Sequence, residues 1–337
     1  MPRPVPPATT PLRRHGRVVT LLVAAALVLA ACGGGPADGD PGGAQGATDA
    51  SDQLAVAFAS FDVAVGEDRR IMTGLLSSER ELLAHGEVTL QLGHLGEEAA
   101  GEVELTQQTT ASFLGIPGME PAGAEDTPRF LSGEPGNGVY VARVDLDEPG
   151  NWGLRVVAEL ADGRVLEGRS VFRVLPEPEV PTVGDPAPRT VNLTAADAEA
   201  GRIAPAAIDS RAGGTDPTIP DRHLHDTVIA EALDAGEPLV VAVTTPVYCM
   251  SRFCGPLTDV LAEMAHAYAD TASFVHLEVW KDHDAQEVNE AAGEWILTET
   301  GGGNEPWVFV VDGDGTIVAR WDNVVDLEEL EATLAAL

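Results

Sequence analysis

Residues 239–243 are a short, wholly apolar run. They lead through Thr244-Thr245-Pro246-Val247-Tyr248-Cys249-Met250-Ser251-Arg252-Phe253-Cys254-Gly255-Pro256 into a helical pattern over 256–269. A buried strand that feeds a helix across one turn needs a sheet to lie in and a face to pack on, so it commits this region to mixed α/β structure. The turn holds Cys249 and Cys254. A cysteine where a helix begins meets unpaired N–H groups and the positive end of the dipole, which favour the reactive thiolate. The remaining cysteine, Cys32, lies in the leader, so Cys249 and Cys254 have only each other as partners within the chain.

The leader carries Arg3, Arg13, Arg14 and Arg17, then an almost purely apolar run over 18–31. That run is too short to span a bilayer comfortably and reads as a cleaved signal over 1–31. It ends Leu29-Ala30-Ala31-Cys32-Gly33-Gly34-Gly35 and resembles the bacterial lipoprotein signal, which implies that Cys32 becomes the lipid-modified first residue of the mature chain. The alternative is an ordinary secretory signal with a chance cysteine. Residues 32–52, rich in Gly, Ala and Asp, read as a flexible tether. The expected location is the extracytoplasmic face of the cell membrane, where a disulfide persists. Formal charge is −34, and loss of the four leader arginines takes the mature chain to about −38. Such a surface repels nucleic acid and anionic headgroups, so the lipid alone would hold the protein at the membrane.

Residues 53–175 show short apolar runs at 56–65, 70–75, 86–92, 138–146, 153–160 and 165–174, punctuated by turn sequences such as Ala161-Asp162-Gly163-Arg164. These predict an all-β immunoglobulin-like sandwich. The stretch 96–132 has no pattern that places a strand. His85, His94, Met72 and Met119 match no metal spacing and read as surface histidines and core methionines. The sandwich is expected to serve as a spacer or a partner-binding domain.

Residues 176–222 open with three prolines in six residues, which predicts a semi-rigid spacer, and continue as an irregular arm. From 223 the period changes. Asp226 is expected to cap a helix over 227–235 with Gly236 as its stop. A strand over 238–243, a helix over 256–269, a strand over 273–279 and a helix over 284–295 follow. A hairpin of 307–311 with 316–321 through Asp312-Gly313-Asp314-Gly315 and a helix over 327–337 complete a domain spanning 223–337.

That element order, Cys254-Gly255-Pro256 at the helix start, and a proline before the hairpin in Asn304-Glu305-Pro306-Trp307 together resemble the thioredoxin-like superfamily. The expected fold is therefore multidomain: an immunoglobulin-like sandwich, then an α/β thioredoxin-like domain. The resemblance implies that Cys254 is the nucleophile and that Pro306 is cis and faces it. Pro306, Trp307 and Arg252 would line the substrate groove. The family's second cysteine is replaced by Leu257, and Cys249 supplies a Cys-x4-Cys pair instead. That spacing reaches the roughly 5.5–6 Å Cα separation a disulfide needs. The function expected is thiol–disulfide exchange on extracytoplasmic proteins through Cys254 and Cys249.

Three other readings stay open. The first is a binding module with a structural Cys249–Cys254 bridge. The second is a copper-delivery protein using both thiolates and His276 or His283, and the third a peroxidase using Cys254. No metal ligand and no resident cofactor other than that copper is expected. His223 and His225 read as a helix lead, and Asp312-Gly313-Asp314-Gly315 as a turn that lacks the later ligands of a calcium loop.

Overall fold

A computed structural model describes residues 53–97, 104–298 and 302–337; the leader, Cys32 and the tether lie outside them. The chain enters as strands β1 (Gln53–Phe58), β2 (Gly66–Leu76), β3 (Leu83–Ala84), β4 (Glu87–Gly96), β5 (Gln107–Gly115), β6 (Arg129–Phe130), β7 (Gly138–Leu146), β8 (Gly150–Glu159) and β9 (Val165–Val174). Seven of them close into a barrel in the order β1-β2-β7-β5-β4-β8-β9. Alternate residues point inward: Val88, Leu90 and Leu92 on β4, Tyr140, Ala142 and Val144 on β7, and Trp152, Leu154 and Val156 on β8. This is the period-2 pattern of strands with one buried face.

The expected immunoglobulin-like sandwich is therefore replaced by a closed barrel. Closure depends on β1 returning to lie parallel to β9, with Leu54 opposite Gly168. A Cβ at Gly168 would stand 2.5 Å from Val56 Cγ2 and 2.7 Å from the Leu54 carbonyl oxygen. Only glycine lets the two backbones approach this closely. The apolar run at 56–65 is not one strand, because β1 ends at Phe58. The unpatterned stretch hides β5, which is Thr- and Gln-rich and fully buries only Ala111.

Beyond the barrel, the prolines at 176–181 do not form a free spacer. The Glu179 N–H donates to Asp62 Oδ1 at 2.9 Å, and Arg320 Nη1 donates to Asp62 Oδ2 at 2.9 Å and to the Pro181 carbonyl at 3.1 Å. The arm then forms α1 (Ala195–Glu199) and tight 3₁₀ turns at Pro205–Ala207, Ser210–Ala212 and Arg222–Leu224.

The remainder comprises α2 (Ile229–Ala235), β10 (Leu239–Thr244), α3 (Cys254–Ala267), β11 (Ser273–Glu278), β12 (Trp280–Asp282), β13 (Glu287–Val288), α4 (Glu290–Ile296), β14 (Trp307–Val311), β15 (Ile317–Asp322) and α5 (Leu327–Leu334). The sheet order is β11-β10-β14-β15, with β10 and β11 parallel and the other pairs antiparallel. Every residue of β10 and β14 is buried, which explains their unbroken apolar runs. The Gly236 stop is a left-handed cap at φ 70°. Asp226 is not the cap of α2: the Ile229 N–H donates instead to Asn192 Oδ1 at 2.9 Å, an acceptor brought in by the arm. The helix expected over 284–295 splits into the β12–β13 hairpin and α4.

The described chain is mostly β, and α3 is the only described helix longer than eight residues. Residues Ala47–Leu337 form one compact unit. The picture of a sandwich joined to a separate α/β thioredoxin-like domain is therefore corrected to a closed barrel fused to a four-stranded mixed sheet with short helices. The fusion is specific. The Phe61 N–H donates to Asp322 Oδ2 at 2.6 Å, Asn323 Nδ2 to the Ala59 carbonyl at 2.8 Å, and Arg70 Nη2 to the Val324 carbonyl at 2.9 Å. Met72, Ile116, Val139 and Val324 bury one another beneath these bonds.

Candidate functional site: a cystine corner and a buried histidine cluster

β10 delivers the chain to Thr244 and α3 takes it away at Cys254, so the nine residues between them form the corner. The Cys249 N–H donates to the Thr245 carbonyl at 3.1 Å and the Arg252 N–H to the Cys249 carbonyl at 3.2 Å, folding the turn back on itself. Arg252 adopts φ +65°, the left-handed region that costs a side-chain-bearing residue about 1 kcal/mol or more. The result is a Cys249–Cys254 disulfide with Cα atoms 6.0 Å apart. Cys254 is the first residue of α3 and is 0% exposed, whereas Cys249 is 8% exposed and lies 3.1 Å from Ser251 Oγ. Met250, between them in sequence, is 93% exposed.

The other groove residues separate. Glu305–Pro306 is a cis peptide bond, and the buried Pro306 offers its carbonyl to the Asn323 N–H at 2.8 Å. Glu305 lines a cleft of about 630 Å³ together with Met250, Ser251 and Phe253. Arg252 is exposed on the turn. Trp307 is buried away from this cleft, stacked on Phe309 at 5.6 Å with the Arg320 guanidinium 5.3 Å over its ring. The barrel supplies the opposite wall of the cleft through Phe58, Ala59 and Val139, which no reading of 223–337 alone could find. The bonded sulfurs face each other, and His283 stacks on Tyr248 at 3.8 Å. Asp312 Oδ1 accepts from the Asp314 and Thr316 N–H groups, as a hairpin turn requires.

A second cluster lies behind the corner. The turn at Arg222–Leu224 sends His223 outward, where Nε2 lies 3.1 Å from the Ala262 carbonyl, and His225 inward. His225 meets Asp209 and His276, and one ligand atom from each of the three lies within 4.8 Å of the other two. The side chains of Asp209 and His225 are 0% exposed and that of His276 is 1% exposed. His225 Nε2 lies 3.3 Å from Asp209 Oδ2, and neither His225 Nδ1 nor His276 Nδ1 makes a hydrogen bond. Arg211 binds Asp209, Asp221 and Asp259 at 2.8, 2.9 and 2.6 Å.

Beside the cluster, Glu278 accepts from the Ser210 N–H at 2.8 Å and the Trp280 N–H at 3.2 Å. Burial pushes the Glu278 carboxyl up to about 7 against the lowering effect of these bonds. His225 and His276 were visible in the sequence. Asp209 was not, because it sits in an arm without periodicity. No described helix is long and apolar enough to cross a membrane. No protein-family profile matches the chain, and no curated protein matches it.

Proposed function

We propose that the chain is a lipid-anchored extracytoplasmic protein that exchanges thiols and disulfides with other envelope proteins at Cys249 and Cys254. The observation that carries this reading is a cystine at the first residue of α3, in a turn whose Met250, Ser251 and Phe253 line an open cleft. The likeness to thioredoxin-like redox sites is local to this corner and to the cis Pro306. The lipid anchor rests on the Leu29-Ala30-Ala31-Cys32 motif.

In the exchange, a partner thiolate attacks Cys249, the less buried sulfur. A partner–Cys249 bond forms as the Cys249–Cys254 bond breaks, and the electron pair leaves on Cys254. The α3 N-terminus stabilises that thiolate. A second partner thiolate then releases Cys249. The partner dithiol is oxidised, the chain's cystine is reduced, and the partner's two thiol protons end on Cys249 and Cys254. Run backward, the same steps reduce a partner disulfide. Burial thus favours Cys249 as the contact sulfur and Cys254 as its resolving partner, the reverse of the roles the resemblance implied.

Burial of both sulfurs also favours a second reading, a structural bridge without turnover. Equilibration with glutathione, combined with trapping of mixed disulfides in Cys254→Ala and Cys249→Ala, separates the two. Exchange predicts a potential above about −300 mV and mixed disulfides on Cys254→Ala. A potential well below that, with no trapped species on either variant, establishes the bridge. Loss of membrane association in Cys32→Ala tests the anchor.

A further inference from the structure

We propose that Asp209, His225 and His276 bind one divalent metal ion of the zinc type, independently of the cystine. Thr258 Oγ1 donates its single proton to the Cys254 carbonyl at 2.7 Å. In its 2.8 Å contact with Thr258, Thr244 Oγ1 must therefore be the donor. In its 2.8 Å contact with His276 Nε2, Thr244 Oγ1 is left only as the acceptor. Nε2 thus carries a proton, which it also directs at the Thr244 carbonyl 3.3 Å away. In the neutral ring Nδ1 is a bare lone pair, and it lies 3.6 Å from the Asp209 carboxylate oxygen. Two electron-rich atoms stand close together in a buried site, an arrangement that a cation between them turns from repulsive to attractive.

The separations of Asp209 from the two histidines suit that cation. Asp209 Oδ2 is 3.3 Å from His225 Nε2 and 3.6 Å from His276 Nδ1. Ligands about 2.0–2.1 Å from a tetrahedral zinc ion stand about 3.3–3.4 Å apart. The two imidazoles meet nearly edge to face, with ring centroids 5.2 Å apart. Thr244 holds the far nitrogen of His276, the arrangement by which an outer hydrogen bond fixes the tautomer of a metal-bound histidine. Charge agrees as well. Arg211 is shared among Asp209, Asp221 and Asp259, so three carboxylates face one guanidinium. Two imidazoles and a carboxylate suit zinc and leave a fourth position for water. The site has no exposed side chain, so loading accompanies folding.

The test unfolds the full-length chain in urea with chelator and its disulfide intact, then refolds it with zinc or cobalt(II) before desalting. The expected result is about one zinc per chain by elemental analysis, a tetrahedral cobalt absorption spectrum, and a higher melting temperature than after refolding with chelator. His276→Gln and His225→Gln should weaken retention at least about tenfold. The Cys249→Ala/Cys254→Ala chain should keep its zinc, which excludes ligation by those two thiolates. Wild-type protein that refolds but holds no zinc after desalting overturns the proposal. So does cobalt that stays octahedral, or zinc lost with the cysteines. If the histidine variants fail to fold, the wild-type cobalt spectrum and the Cys249→Ala/Cys254→Ala chain still decide.

Discussion

Gly168→Ala is expected to break the barrel at its closure. The added Cβ would meet Val56 Cγ2 at 2.5 Å and the Leu54 carbonyl oxygen at 2.7 Å. The side chain could rotate away, but the carbonyl belongs to the β1 backbone and cannot move without opening the Gln53–Ala55 pairing with β9. Overpacking a tight site costs roughly 1–3 kcal/mol, and loss of the short parallel ladder brings the expected penalty to about 3 kcal/mol. At about 2 cal/mol/K of unfolding entropy per residue, that lowers the melting temperature of the Ala47–Leu337 unit by roughly 5 °C.

The matched control is Gly74→Ala on β2. Gly74 pairs with Ala57 of β1, and its added Cβ would find Ala57 Cβ at an ordinary 3.8 Å. That substitution should be neutral, or stabilising by up to about 1 kcal/mol through the unfolded chain. Urea unfolding followed by circular dichroism supplies the energies, and amide exchange of Leu54 and Ala55 reports the ladder itself. Equal stability of the two variants, or unchanged protection of β1 in Gly168→Ala, would refute the closed barrel.

Three further outcomes follow. The Glu278 carboxyl is raised to about 7, above its unfolded value near 4.5, so its contribution is fully present below about pH 4.5 and is lost as pH rises through 7. Glu278→Gln should flatten the fall in urea midpoint between pH 5 and pH 8, and an unchanged pH profile would contradict this account. Asn192→Ala removes both the acceptor for the Ile229 N–H and the donor to the Thr227 carbonyl. It should cost about 1–2 kcal/mol in chemical denaturation, with amide protection falling first in α2. Arg320→Ala leaves Asp62, whose side chain is 5% exposed, buried without its cation. Its cost should be about 3 kcal/mol, with faster proteolysis in the segment around Val180, and unchanged proteolysis there would contradict the anchoring of the proline run.

What could be read locally in the sequence came out well along β10, α3, β14 and β15. These are long or strongly apolar segments whose period is set by burial of one or both faces. The turn at Asp312–Gly315 and the Gly236 stop were legible for the same reason, since each is decided by the backbone preferences of a few neighbouring residues. β5 was illegible because its polar strand fully buries a single alanine and so carries no apolar alternation. The helix expected over 284–295 failed because the β12–β13 hairpin occupies its first half.

Local sequence permits Cys249 and Cys254 to meet, since a five-residue separation can fold back to the distance a disulfide needs. It also determined the apolar periods that make the strands, because alternation is a property of neighbours. Closure of the N-terminal strands into a barrel comes from long-range packing, since it is a contact between β1 and β9, more than one hundred positions apart. Only that packing brought Asp209 from an unpatterned arm to His225 and His276, or set the barrel opposite the cystine to complete the cleft. Proximity across long separations is fixed by how all the buried faces pack at once, and no short window of residues contains that information.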